Sequence, residues 1–334
     1  MLGDVVCRVP EFKSKVSTKL LDHVFENWTE TPDVNVATLV EQDETWKEFW
    51  LYASGTKYWC PRLCAIKAMY PVLAKKIKAD DKWNFGQGHA YHDLFRRRIM
   101  PSLGGQFLGS WERYVDVPDR DCGVMAYEVS PSVVPEFDSS MDIVRGWGPK
   151  PKGKGWVYNE SKVRVNDHRI VVKLDGIVSW NDGLLEVQEI KSEKSTARDD
   201  LDPMMGGAPR SHHVDQCMIG MAATGIKDCR LTYVFKGEPY LRTAWMEHEI
   251  EYDQSRVDRL FSVADSCVSA VRLCDEKKAS VEDDEELFSS PEDSFAWLNE
   301  HFDRRDGCPM KSKGDARYCL GRDFCFQKFK KAKK

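Results

Sequence analysis

Residues 173–191 read Lys173-Leu174-Asp175-Gly176-Ile177-Val178-Ser179-Trp180-Asn181-Asp182-Gly183-Leu184-Leu185-Glu186-Val187-Gln188-Glu189-Ile190-Lys191. Two apolar runs, Ile170–Ser179 and Leu184–Ser192, flank Asn181-Asp182-Gly183. An Asp-Gly pair between such runs predicts a β-hairpin, because the tight turn needs residues that accept positive φ. Side chains alternate along a strand, so Glu189 and Lys191 project from one face, and the hairpin brings Asp175 beside them. Hard oxygen ligands of this kind suit Mg²⁺ or Mn²⁺. Such a cation lowers the pKa of a bound water and offsets charge developing on a phosphate. A neighbouring lysine orients the water or neutralises the transition state. The set suits metal-assisted phosphodiester hydrolysis, although a solvated strand edge would carry the same Glu-x-Lys without chemistry.

Upstream, helical spacing is expected over Lys19–Trp28 (Leu20, Leu21, Val24, Phe25, Trp28) and Glu44–Ala53 (Trp46, Phe49, Trp50, Ala53). Pro61 opens a third predicted helix through Lys78. A fourth runs from Gly86 to Ile99 and is ended by Pro101. This fourth helix carries Gly88-His89-Ala90-Tyr91-His92. Imidazole completes a Mn²⁺ or Mg²⁺ site otherwise made of carboxylates, which makes His92 a candidate and His89 its rival. Arg96-Arg97-Arg98 follow on the same helix, and at most two of them can line one groove for DNA phosphates.

Strands are expected at Trp111–Val117 and Gly123–Val129, then a long Pro- and Gly-rich inserted loop from Pro131 to Gly155. Beyond the hairpin, His213–Thr224 reads as a helix with Gly225 past its end. Leu231–Phe235 and Arg242–Ile250 read as strands. Ser255–Lys278 reads as a long amphipathic helix, with Val257, Leu260, Phe261, Ala264, Cys267, Val268 and Val271 on one stripe. The end of the chain splits by charge: 275–303 holds eleven acids and two lysines, 308–334 nine Lys or Arg and two acids. Glu282–Glu286 reads as a solvated linker, and Lys328, Lys330, Lys331, Lys333 and Lys334 as a basic tail that either holds phosphates or only solubilises. Lys150, Lys152 and Lys154 lie in the insert, and Tyr91 and Trp156 near these charges could stack bases.

The net charge of −5 gives no global sign of nucleic-acid binding, so such a site must be local. No apolar run is long enough for a membrane span, and Met1–Lys19 lacks the apolar core of a secretory signal, so a cytoplasmic location is expected. No phosphate-loop motif of an ATPase motor is present. Eleven cysteines, unevenly spaced, do not suggest a disulfide scaffold. Cys7, Cys122, Cys217, Cys229, Cys267 and Cys274 stand in apolar contexts and read as small buried hydrophobes. Cys308, Cys319 and Cys325 crowd a short basic terminus, where core packing explains them poorly. Cys60, or Cys64 one turn on, would complete a Cys₄ set for Zn²⁺ or an iron–sulfur cluster. A ligand so far upstream argues against a self-contained zinc finger and for a clip between the chain's two ends.

Taken in order, Cys60, Gly88-x₃-His92, Asp175, Glu189-Ile190-Lys191, Gln216 and Cys308/Cys319/Cys325 resemble the RecB-like PD-(D/E)xK nucleases that carry an iron–sulfur cluster. These include the CRISPR-associated iron–sulfur exonucleases and their phage-encoded relatives. The resemblance spans about residues 58–326. It implies an α/β fold with a restriction-endonuclease-like core, a central mixed sheet flanked by helices. It implies His92, Asp175, Glu189 and the Ile190 carbonyl as ligands of Mg²⁺ or Mn²⁺, Lys191 as catalytic, and Gln216 at DNA or a catalytic carboxylate. It implies a [4Fe–4S] cluster on Cys60, Cys308, Cys319 and Cys325, with Zn²⁺ as the alternative. The activity implied is cleavage of DNA, commonly exonucleolytic on single strands, and it admits a recombinase or replication partner in a bacterial or phage-infected cell. The family's QxxxY reads Gln216-Cys217-Met218-Ile219-Gly220 here, with glycine in place of the tyrosine.

The expected organisation is a helical extension over 1–57, a nuclease core over 58–274 with its insert at about 131–155, an acidic segment over 275–303, and a cysteine-bearing basic segment over 304–334 that packs on the N-terminal helices. Two other readings stay open: a catalytically silent DNA-binding or assembly protein on the same fold, and a zinc-stabilised regulator.

Overall fold

The predicted hairpin forms: Leu185 pairs with Ser179 and Gln188 with Gly176, antiparallel. Gly183 makes the turn at φ +86°, a conformation that only glycine adopts without strain. Around this hairpin, the computed structural model describes residues 49–69, 88, 90–115, 126–129, 140–153, 156–236, 245–280, 288 and 291–302. The expected helix at Lys19–Trp28, the linker Glu282–Glu286, the basic tail, His89, Cys7 and Cys122 lie outside the described residues.

In chain order the strands are β1 (Leu51–Tyr52), β2 (Gln106–Val115), β3 (Ala126–Val129), β4 (Met141–Arg145), β5 (Gly148–Pro149), β6 (Val157–Asn159), β7 (Ser161–Val165), β8 (Ile170–Leu174), β9 (Gly176–Ser179), β10 (Leu185–Lys194), β11 (Asp228–Lys236) and β12 (Trp245–Glu251). The helices are α1 (Pro61–Met69), α2 (residues 90–102, with a π turn at Phe95–Ile99), α3 (Ser211–Thr224), α4 (Gln254–Ala279) and α5 (Pro291–His301). An eight-stranded sheet runs β12-β11-β10-β9-β2-β3, with β5 and β6 also paired to β2. A second sheet runs β1-β8-β7-β4. The larger sheet is mixed: β10 and β11 are parallel, joined through α3 as a parallel pair requires, and the remaining pairs are antiparallel.

Helices cover the sheet. On one side Val187, Leu231, Cys217, Ile219, Val257 and Leu260 share a core that α3 and α4 build. On the other, Phe95 and Met100 of α2 close over Phe107, Val178, Ile190 and Val234. A smaller core joins Ala65, Ile66 and Met69 of α1 to Ala270, Cys274, Leu298 and Phe302. The fold is therefore α/β, a central mixed sheet flanked by helices. Cys217, Cys229, Cys267 and Cys274 are buried as expected of small apolar residues. No helix among the described residues is long and apolar enough to cross a membrane.

Four expectations are corrected. Ile170–Ser179 is not one strand: it breaks at Asp175, with β8 in one sheet and β9 in the other. The predicted helix over Glu44–Ala53 gives way, in its described part, to β1. There the Leu51 amide donates to the Arg169 carbonyl at 2.8 Å, so tertiary pairing overrides local periodicity. The predicted loop Pro131–Gly155 contains β4, which pairs with β7, and β5, which pairs with β2, around the buried Trp147. Pro101 does not end α2. The Met100 amide donates to the Phe95 carbonyl across a π turn, and this wider turn carries the chain past the proline, still helical, to Ser102.

Gly176, next to Asp175, is required by close approach: a Cβ there would lie 1.9 Å from Cζ of Phe107. Gly176→Ala is expected to destabilise the fold by about 1–3 kcal/mol through overpacking, and adding Phe107→Leu is expected to recover part of the loss. Urea denaturation of the single and double variants measures both.

Candidate active site

The break between β8 and β9 positions Asp175. The register pairs Gln188 with Gly176, so the next residues along, Glu189 and Asp175, fall opposite each other. Where β9 ends, the Ile190 amide donates to Oδ2 of Asp175 at 2.8 Å. Lys191 follows on the same face as Glu189 and forms an ion pair with it. The hydroxyl of Tyr158 donates to the main-chain oxygen of Asp175 at 2.7 Å, fixing the break from the other side.

α2 brings in His92. Its Nδ1 lies 3.5 Å from Oδ1 of Asp175, and its Nε2 lies 3.1 Å from the Ile190 carbonyl, to which it donates. A third carboxylate joins them: donor atoms of His92, Asp175 and Glu160 all fall within 4.8 Å of one another. Two carboxylates and an imidazole at that separation, with a main-chain oxygen alongside, fit a hard divalent cation. Glu160 was not singled out from the sequence. Its signal was the run Val157–Val165 ahead of Asn166-Asp167, a second strand–turn pattern feeding Ile170.

Charge is concentrated here. The Glu189 side chain is almost wholly buried, and its pKa is pushed up to about 8 by burial and then by the Asp175 carboxylate, with Lys191 pulling it partly back. Burial alone would lower the Lys191 ammonium, but the Glu189 and Asp175 carboxylates outweigh it and hold its pKa raised.

The structure thus brings together His92, Asp175, Glu189, the Ile190 carbonyl and Lys191. Gln216 sits on α3 and is 7% exposed, away from the open surface. The place of the family's tyrosine, Gly220, packs tightly on the sheet: a Cβ there would meet Leu174 at 3.3 Å and Val187 at 3.6 Å. Arg96 pairs with Asp93 at 2.7 Å and stacks 4.0 Å from the centre of the Tyr158 ring. Arg97 is exposed, 3.6 Å from the other oxygen of Asp93. Cys60 is half-buried just before α1. Cys308, Cys319 and Cys325 lie outside the described residues.

No family model matches the chain, and no curated protein matches it in sequence. Solved structures similar to it include SSO0001, at 14% identity and a TM-score of 0.36, covering 75% of this chain and 85% of that one. They also include an alkaline exonuclease (LHK-Exo) from Laribacter hongkongensis, at 13% identity and a TM-score of 0.40, covering 69% of this chain and 92% of that one. The same exonuclease in complex with dAMP is similar at a TM-score of 0.35, with 13% identity and the same coverage.

The raised pKa of Glu189 sets a pH dependence. Between its ordinary value of 4.5 and about 8, the folded protein holds a proton that the unfolded chain has released. The associated stability is complete at low pH and is lost as pH rises through about 8. A divalent cation favours the ionised carboxylates and opposes that loss. In EDTA the melting temperature is expected to fall from about pH 5 to about pH 9, and the increment given by Mn²⁺ to grow over the same window. Glu189→Gln should flatten both trends in thermal melts.

Proposed function

We propose that the chain is a divalent-metal-dependent deoxyribonuclease of the PD-(D/E)xK type, working as an exonuclease on single-stranded DNA. The observation that carries this reading is the convergence of His92, Glu160 and Asp175 on one point beside the Glu189–Lys191 pair. His92, Asp175, Glu189 and the Ile190 carbonyl would hold Mg²⁺ or Mn²⁺, with Glu160 as a further oxygen ligand. When bound, the cation acidifies water and offsets charge on the phosphate under attack. The Ile190 amide and the Tyr158 hydroxyl keep Asp175 from swinging away as charge enters. The Lys191 ammonium, kept protonated by its carboxylate neighbours, can donate to a phosphate oxygen as negative charge builds there.

A time course on end-labelled single- and double-stranded DNA with Mn²⁺ tests the proposal. Wild type is expected to shorten the single strand progressively. Glu189→Ala and Lys191→Ala should slow cleavage on the order of 100-fold or more. Binding without cleavage by wild type under every divalent metal would instead favour the silent DNA-binding reading.

We also propose the cysteine clip, a [4Fe–4S] cluster on Cys60, Cys308, Cys319 and Cys325. Its support lies at the end of α5. Nη1 of Arg62, two residues after Cys60, donates to the Phe302 carbonyl at 2.9 Å, a contact that ties the segment holding Cys60 to the end of α5. Protein purified without oxygen is expected to be brown and to hold iron and acid-labile sulfide in equal amounts. Cys60→Ala should lose the colour and lower the melting temperature. Stoichiometric zinc without iron would reassign the site.

A further inference from the structure

A groove of about 740 Å³ opens beside the site. Its lining includes Arg97, Arg98, Lys150, Trp111, Trp156 and Tyr158, and no aspartate or glutamate. That is a local excess of positive charge on a chain whose net charge is −5. Arg97, Arg98 and Lys150 are exposed at the rim, and the Arg97 side chain is 71% accessible.

The floor is aromatic and rigid. The ring of Tyr158 meets those of Phe107 and Trp111 edge-on, at 5.9 and 5.4 Å between centroids. The Trp111 indole is fixed by donating to the Gly148 carbonyl at 3.0 Å. Cations already sit on these faces: Lys150 lies 5.5 Å over Trp111, and Arg113 lies 5.0 Å over Trp156. Lysine on an exposed stem can yield its place over a ring and turn to a phosphate. Flat faces beside mobile cations suit stacked bases joined by a phosphate backbone. Stacked bases of this kind must be unpaired, which favours a single strand over a duplex.

Resting on the proposed nuclease reading, we infer that this groove seats a single-stranded DNA segment, bases on Trp111 and Trp156 and phosphates on Arg97, Arg98 and Lys150, and leads it to the metal site. The path is short. Tyr158 forms the groove floor with its ring and bonds Asp175 with its hydroxyl, and Arg96, one turn after His92, covers that ring. A bound strand would therefore lie against the tyrosine that fixes the catalytic aspartate. No sequence preference is expected, since neither stacking nor phosphate contact reads bases.

The test uses the full chain carrying Glu189→Ala, in EDTA, with fluorescent oligo-dT as the probe and duplex of the same length as competitor. Arg97→Glu with Lys150→Glu changes only exposed residues. It is expected to weaken oligo-dT binding about tenfold or more and to lower its salt dependence, with the unfolding midpoint unchanged. Trp156→Ala should weaken binding by about tenfold, and duplex should compete poorly. Unchanged affinity in the charge-reversed protein, or duplex competing as well as single strand, overturns the inference. The two readings fail separately: groove-dependent binding without cleavage by the parent chain sinks the catalytic reading alone. Cleavage and binding that ignore Arg97, Lys150 and Trp156 sink the groove alone.

Discussion

The hydrogen bond from the Ile190 amide to the Asp175 carboxylate holds the architecture together. A chain that leaves one sheet for another must abandon its ladder partner on one side. Here β10 continues past the end of β9 while β8 diverges into the second sheet, so the Ile190 amide would face an empty place. A buried amide without an acceptor costs about 1–3 kcal/mol. The aspartate at the break supplies the acceptor. The residue that permits the two sheets to part is also the residue at the centre of the proposed chemistry.

That dual role concentrates negative charge. Asp175, Glu189 and Glu160 gather beside Lys191 and the His92 imidazole. A fold selected for stability alone would disperse these groups. Keeping them requires rigid supports, and they come from every direction: the hairpin register from below, Tyr158 from the side, α2 from above. Burial, and after it the Asp175 carboxylate, raise the proton affinity of Glu189, and a bound cation would oppose that rise.

Much of this was legible in the sequence. The hairpin could be read because its signals are local: an apolar run on each side of an Asp-Gly turn. The grouping of Asp175 with Glu189 and Lys191 then followed from strand geometry, and His92 from its place on a helix after glycine. Residues whose position depends on distant partners could not be read. Glu160 reaches the site only because β6 and β7 join different sheets. β1 is a strand only because Arg169 and Ile170 offer it an edge, and periodicity there suggested helix. The continuous apolar run Ile170–Ser179 gave no hint of its break, since Leu174 and Ile177 are equally buried in the two sheets. Pro101 misled because its local effect was absorbed by one widened turn.

Arg62 gives the chain a particular order of assembly. Its guanidinium, 4% exposed, binds the Phe302 carbonyl and the Asn299 side chain, residues 240 and 237 positions away. The apolar side of α1 is completed by α4 and α5. As the chain emerges from the ribosome, α1 must wait with Ala65, Ile66 and Met69 uncovered while most of the protein is synthesised. Contacts of such sequence separation form late and slowly. The packing of α1 is thus completed only once α5 has been made.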